Sequence, residues 1–434
     1  MLRFVYNIVF TMAFVISWPW FAMHMLRRGR FWPGFGERFG CYSDELEQKL
    51  NALCNPVWIH AVSVGEMMLA RVLIRELRSL RPEQPIVITC TTSTARVLGE
   101  REMADAKTLV LYSPADLFPT VKRAFDLIRP CLILLIEQEL WPNQLWEAES
   151  RKIPVWIINA RLSDRSWRRF KKFRRWLAPL LAKVSMIGLQ SEKDRKRLEE
   201  AGFPIHALFA TGSMKYDVAD LARADSGVAE KLRKELAWAD DEEVFLAGST
   251  HPGEEELLFE LYKDLASERP QLKFLLAPRH AERGPGLLEL ARSKGLKACL
   301  RSEAKEGIDV IILNTTGELR SLYELATVVF IGKTLVAPEG KGGQNFLEAA
   351  RVGVPVIMGP RTENFQTLVE EYDEAGAILR ISDGDELKRE LKRLLSDALL
   401  RRTYGEKARG LFESNLGVGG KVARMVELYL KSLD

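Results

Sequence analysis

Short apolar runs recur along the chain, each followed by a polar turn and then by a helix-length amphipathic stretch. The runs fall at 57–62, 86–90, 108–111, 131–136, 155–158 and 186–189, and again at 244–247, 273–277, 309–313, 328–331 and 354–358. Residues 57–62 alternate and are rich in β-branched side chains, as a buried strand is, whereas Glu66–Leu80 carries apolar residues at i, i+3 and i+4, as a helix does. Strands alternating with helices predict a parallel sheet, and two such series predict an α/β protein of two Rossmann-like domains facing a central cleft. A charged helical stretch to about residue 239 joins the two series. The pattern divides the chain into an N-terminal segment (1–30), a first domain (31–210) and a second (211–434), whose last helix, near 420–433, packs back towards the first.

One apolar stretch breaks the rhythm. Residues 4–25 contain no Asp, Glu, Lys or Arg and run to about the 20 residues a bilayer span needs, with Arg27, Arg28 and Arg30 directly after. Basic residues at that edge favour the cytoplasmic side, and Trp18 and Trp20 suit the interface, so the segment is expected to anchor the body in the cytoplasm. The charge follows the apolar run and no small-residue cleavage site follows it, which argues against a removable signal. Asn7, Ser17, Pro19 and His24 leave open whether the helix spans the membrane or lies on it.

Composition narrows the classes further. With 434 residues, 47% hydrophobic and 28% charged, the chain can bury two cores, and its net charge of +4 is too small to argue for nucleic acid. The five cysteines show no paired spacing, which suits a reducing compartment. Local charge is another matter. Residues 161–176 hold eight Arg or Lys against one Asp, interleaved with Trp167, Phe170, Phe173 and Trp176. At helical spacing this makes an aromatic face bordered by cations, suited to an anionic membrane surface; the alternative is a solvated helix over the sheet.

Chemistry concentrates in the turns after strands, where ligands of open α/β sheets bind. Ser63-Val64-Gly65-Glu66 delivers a carboxylate to the start of a helix, either as a base or as a complement to the helix dipole. Glu137 and Glu139 follow the run ending at Ile136, aimed at the crevice or capping the next helix. Gly34–Gly40 is a glycine-rich loop carrying Glu37, Arg38 and two phenylalanines. In the second half, Gly340-Lys341-Gly342-Gly343-Gln344-Asn345-Phe346-Leu347-Glu348 joins a strand to a helix, whose N-terminal amides would suit a phosphate and whose Glu348 would suit ribose hydroxyls. It is neither a dinucleotide fingerprint nor a Walker loop. Arg279, after Ala277-Pro278, offers a fork for phosphate. His206, His251 and His280 show no metal-ligand spacing.

In their order along the chain, HAVSVGE, EQELWPN, NARLS, GSMKYD, PRHAER, TTGEL and GGQNFLEAA resemble the motifs of the 3-deoxy-D-manno-octulosonic acid (Kdo) transferases of lipopolysaccharide assembly, and the resemblance covers nearly the whole chain. It implies a GT-B fold at the cytoplasmic face of the inner membrane, and inverting, metal-independent transfer of Kdo from CMP-Kdo to a lipid A precursor, with no cofactor. It also implies Glu66 as base, Glu137 and Lys215 as transition-state stabilisers, and Pro278, Arg279, Thr316, Gly317, Glu318, Asn345, Phe346, Leu347 and Glu348 as CMP contacts. Gln344 stands where many members have His, Gln138 where they often have Thr, and Ile331-Gly332-Lys333-Thr334 replaces a more usual glycine pair and Ser. These departures bear on the acceptor and on the number of sugars added. A sugar-nucleotide epimerase of the same architecture would leave the anchor and the basic aromatic helix unexplained. A non-catalytic membrane scaffold would leave the acids and glycines at strand ends unexplained.

Overall fold

Each apolar run forms a strand. In the computed structural model, which describes residues 2–27, 34–137, 140–162, 164–221, 226–239, 241–336 and 342–434, the first series builds β1 (Val57–His60), β2 (Ile86–Cys90), β3 (Thr108–Tyr112), β4 (Leu132–Ile136), β5 (Val155–Ala160) and β6 (Met186–Leu189). A short β7 (Leu208–Ala210) completes a parallel sheet of order β3-β2-β1-β4-β5-β6-β7. The second series builds β8 (Val244–Thr250), β9 (Lys273–Pro278), β11 (Val310–Ile312), β12 (Val328–Ile331) and β13 (Val356–Met358). With β10 (Ala298–Leu300) and β14 (Leu379–Arg380) they form a second parallel sheet, β10-β11-β9-β8-β12-β13-β14. Central strands such as β1, β2 and β4 are buried at every residue, because helices cover both faces of a parallel sheet.

The chain forms two compact units, Met1–Val218 with Gly417–Asp434, and Ala219–Leu416. The expected boundary at 211 thus falls short of Val218, since Thr211 and Met214 are hydrogen-bonded to the end of the first sheet, at Leu189 and Asn159. The return of the chain is pinned within the first unit: Asp217 accepts from the amides of Gly417 (2.6 Å) and Gly419 (2.7 Å). The helix Val418–Lys431 then packs on the helix Val64–Leu80. Gly419 permits this contact, because a Cβ there would lie 2.5 Å from the Val72 side chain. On the opposite face of the sheet, the helices Phe118–Ile128, Pro142–Ser150 and Asp164–Leu181 bury Phe125, Leu145 and Phe170 in one core with Trp58.

The N-terminal helix, Leu2–Arg27, is the one described helix long and apolar enough to cross a membrane. It rests on the first unit. Tyr6, Asn7 and Arg3 bond to Asp116, Asn143 and Glu147, and Trp18 packs against Phe35 and Phe39 of the glycine-rich loop. That loop is a short turn at Gly36–Phe39, held by the buried Glu37, which accepts from Arg96 (2.6 Å) and from the Tyr112 amide (2.7 Å). Arg28 and Arg30 lie outside the described residues.

The basic helix departs from the continuous aromatic face expected of it. Phe170 turns into the core and Trp167 stacks on it at 5.9 Å, while a break in helical geometry at Phe173 leaves Phe173 and Trp176 exposed among Lys171, Lys172, Arg174 and Arg175.

Candidate active site

In the first sheet the strand order reverses between β1 and β4, and ligands of such sheets bind beyond the carboxyl ends at that point. Glu66 and Glu137 stand there, one after each strand. Ser63 caps the helix Val64–Leu80 by accepting from the Glu66 amide (3.4 Å). The Glu66 carboxylate in turn accepts from the Ser63 hydroxyl (2.9 Å) and the Val62 amide (2.8 Å). This reciprocal cap realises the helix-start role weighed for Glu66. It also fixes the plane of the carboxylate of a residue that is only 9% exposed.

Glu137 has a φ of +64°, rare for a residue with a side chain, and its amide donates to Ile158 (2.9 Å). Such strain, of order 1 kcal/mol or more, persists where the surroundings enforce it. It leaves the carboxylate 4.0 Å from the Lys215 ammonium. Burial pulls the Lys215 pKa below the ordinary lysine value against the opposing pull of Glu137. The buried Asn159, also at positive φ, sets the turn before this lysine by accepting from the Met214 amide (2.9 Å). Gln138 and Glu139 lie outside the described residues.

The second sheet reverses between β8 and β12. A Cβ on Gly332 would lie 2.4 Å from the Thr250 Cα, so only glycine lets the two strand-end turns close on each other. The fully buried carboxylate of Glu254 ties them. It accepts from the amides of His251 (3.0 Å), Lys333 (2.7 Å), Thr334 (3.1 Å), Leu335 (3.1 Å) and Val336 (3.4 Å). Glu254 stands outside the motifs read from the sequence; the signal for it is an acid directly after His251-Pro252-Gly253, at a helix start beyond a strand. Around this clamp gathers positive charge. His251, 3.2 Å from the Gln344 amide nitrogen, is held down to about 4 by burial and then by Lys333, His280, Arg279 and Arg283. Arg279 follows Pro278 at the end of β9, its amide donating to Thr250 (3.0 Å) and its side chain exposed.

The remaining expected contacts differ in what they can offer. Gly317 takes a φ of +90°, and Glu318 beyond it is bound by Arg301 (3.3 Å) and the Thr315 hydroxyl. Asn345 accepts from the Leu347 amide (3.2 Å). Phe346 and Leu347 are core residues, Phe346 against the Tyr372 ring at 4.9 Å, so a ligand reaches only their backbone. Glu348 is half-buried, its carboxyl raised by burial against Arg320 and Arg351. The glycine amides expected to face a ligand are already used, Gly342 donating to Glu363 (2.8 Å) and Gly343 to the Lys333 carbonyl (2.7 Å). The helix after them, Leu347–Val352, is short, so its dipole adds less than a long helix would. Gly340 and Lys341 lie outside the described residues.

Both halves of the chain match known families. Residues 33–218 match the family model described as 3-deoxy-D-manno-octulosonic-acid transferase (kdotransferase), and residues 229–411 match glycosyl transferases group 1. The 3-deoxy-D-manno-octulosonic acid transferase of Bordetella pertussis is 33% identical over 444 residues, and that of Haemophilus influenzae 30% over 442, each alignment covering 99% of both chains. Among solved structures, the UDP-GlcNAc 2-epimerase of Neisseria meningitidis superimposes with a TM-score of 0.61 over 87% of this chain and 100% of its own, at 15% identity, which establishes a shared GT-B-like fold and nothing about chemistry. The chain belongs to the 3-deoxy-D-manno-octulosonic acid transferases, a family of glycosyltransferases.

Proposed function

We propose that the enzyme moves Kdo from CMP-Kdo to a hydroxyl of a lipid A precursor, with inversion and without a catalytic metal, at the cytoplasmic face of the inner membrane. The observation that carries this reading is the cationic group around His251. A CMP-linked Kdo brings a phosphodiester and a carboxylate, and Arg279 and Lys333 supply charge for both beyond a sheet reversal. In this reading these cations and the backbone stabilise the leaving phosphate; among the described residues no group of three or more His, Cys, Asp or Glu is placed to hold a metal ion.

In this reading Glu66 takes the proton of the acceptor hydroxyl as its oxygen bonds to the anomeric carbon. The bond from that carbon to the phosphate oxygen breaks and CMP departs with the electron pair; a single displacement inverts the centre. Lys215 and Glu137 balance the charge that develops on the sugar. Glu348 reaches the ribose, and Pro278, Thr316, Gly317, Glu318, Asn345, Phe346 and Leu347 hold the nucleotide by side chain or backbone. The apolar N-terminal helix and the exposed cations of the basic helix support attachment to an anionic membrane. Incubating the protein with CMP-Kdo and a lipid A precursor, followed by mass spectrometry, should give a product heavier by a whole number of Kdo residues. An unchanged lipid, or an isomerised sugar nucleotide, would overturn the reading.

A further inference from the structure

We infer that the N-terminal helix is seated along the first unit in the plane of one leaflet and does not cross the bilayer. Three polar residues near its start bond to the body. Tyr6 donates to Asp116 (2.7 Å), Asn7 and Asn143 exchange amide hydrogen bonds (3.1 and 2.9 Å), and Arg3 pairs with Glu147 (3.3 Å) while its guanidinium lies 4.7 Å from the Phe118 ring centre. Farther along, Phe14 lies 6.1 Å and Trp18 5.6 Å from the Phe39 ring. The helix is therefore fastened from residue 3 to residue 18, roughly 22 Å at about 1.5 Å per residue. A span of about 30 Å of hydrocarbon would carry Asp116, Glu147 and the start of the helix Pro142–Ser150 into lipid, where buried polar groups are costly.

The other side of the helix is exposed. Phe4, Ile8, Met12, Val15, Ile16 and Trp20 recur at helical spacing and are exposed to between 45% and 76%. A groove of about 700 Å³ between this helix and Leu117–Thr120 adjoins the stripe at Phe4 and gives a lipid tail a place to lie. The helices Pro142–Ser150 and Asp164–Leu181 share one core on one sheet face, and the N-terminal helix rests on the first of them. The exposed Lys171, Lys172, Arg174 and Arg175 thus belong to the side that carries the stripe, and suit anionic headgroups around an inserted apolar ridge.

The inference rests on the membrane attachment proposed above, and two measurements on the full chain test it. The vesicles are of phosphatidylethanolamine and phosphatidylglycerol, and Cys41, Cys54 and Cys131 are replaced by serine. Nitroxides placed singly at Ile8, Met12 and Ile16 should report one common shallow depth. A spanning helix would separate the first from the last by roughly 12 Å. Cysteines at Asn7→Cys and Asn143→Cys should cross-link on the vesicles in most molecules. Depths that step along the helix, or a folded, vesicle-bound protein without the cross-link, overturn the seating alone. Protein that stays free of vesicles at every ionic strength overturns the attachment and the seating with it.

Discussion

In the proposed function Glu66 serves two ends, as helix cap and as base, and substitution separates them. Glutamine keeps an oxygen for the cap and loses the base, so Glu66→Gln should lower transfer roughly 10²- to 10⁴-fold with unchanged CMP affinity by calorimetry, whereas Glu66→Ala should also cost about 1 kcal/mol of stability. Two other buried groups titrate in opposite senses. His60 is fully buried against Thr89 (2.9 Å) and burial holds it down to about 4, so between about 6.5 and 4 the unfolded chain takes up a proton that the native state refuses, and stability falls as pH falls. Asp116 is raised to about 6 by burial, so over the same window the native state binds the extra proton and gains stability as pH falls. Hydrogen exchange of the β1 and β2 amides should show His60→Gln gaining about 2–3 kcal/mol of relative stability at pH 4.5 against pH 7, and Asp116→Asn losing a similar amount. The residue types at the site were legible as polar turns after apolar runs. The Glu66 cap lies within such a turn, its partners Ser63 and Val62 being three and four residues away, but the engagement of the Gly342 and Gly343 amides with Glu363 and Lys333 was not legible, because those partners are set by tertiary contacts that no local pattern records.

Among the elements, the central strands were readable because each is a run buried on both faces. The edge strands β7, β10 and β14 are two or three residues long, and Phe209 at the first sheet's edge is exposed, so no such run marks them. The turn at Lys333–Val336 shows how one side chain outside the expected motif can govern a site. Glu254→Ala leaves several buried amides without an acceptor, and should cost about 3 kcal/mol or more and weaken CMP binding roughly tenfold. Glu254→Gln, which keeps one acceptor oxygen, should lose less on both counts. Scanning calorimetry and isothermal titration read the two effects separately. Equal CMP affinity in the alanine variant would detach the clamp from the site.

For the whole molecule, charge and chain order matter most. Reversing Lys171, Lys172, Arg174 and Arg175 to Glu removes attractions of about 1 kcal/mol each near an anionic surface. The apparent Michaelis constant for lipid should then rise at low salt and less at high salt, with that for CMP-Kdo unmoved. A kinetic profile identical to the parent's would make this a merely solvated face. The packing of Val418–Lys431 on Val64–Leu80 has a consequence during synthesis. The ribosome makes the earlier helix well before its partner, with all of Ala219–Leu416 intervening. Throughout that interval the nascent first unit carries an apolar helix face with nothing upon it, so the last stretch to emerge is the one that seals the first to be made. Chains released after Leu416 should accumulate in aggregates or with chaperones, while Ala219–Leu416 expressed alone should remain soluble, a contrast that pulse labelling and fractionation would resolve.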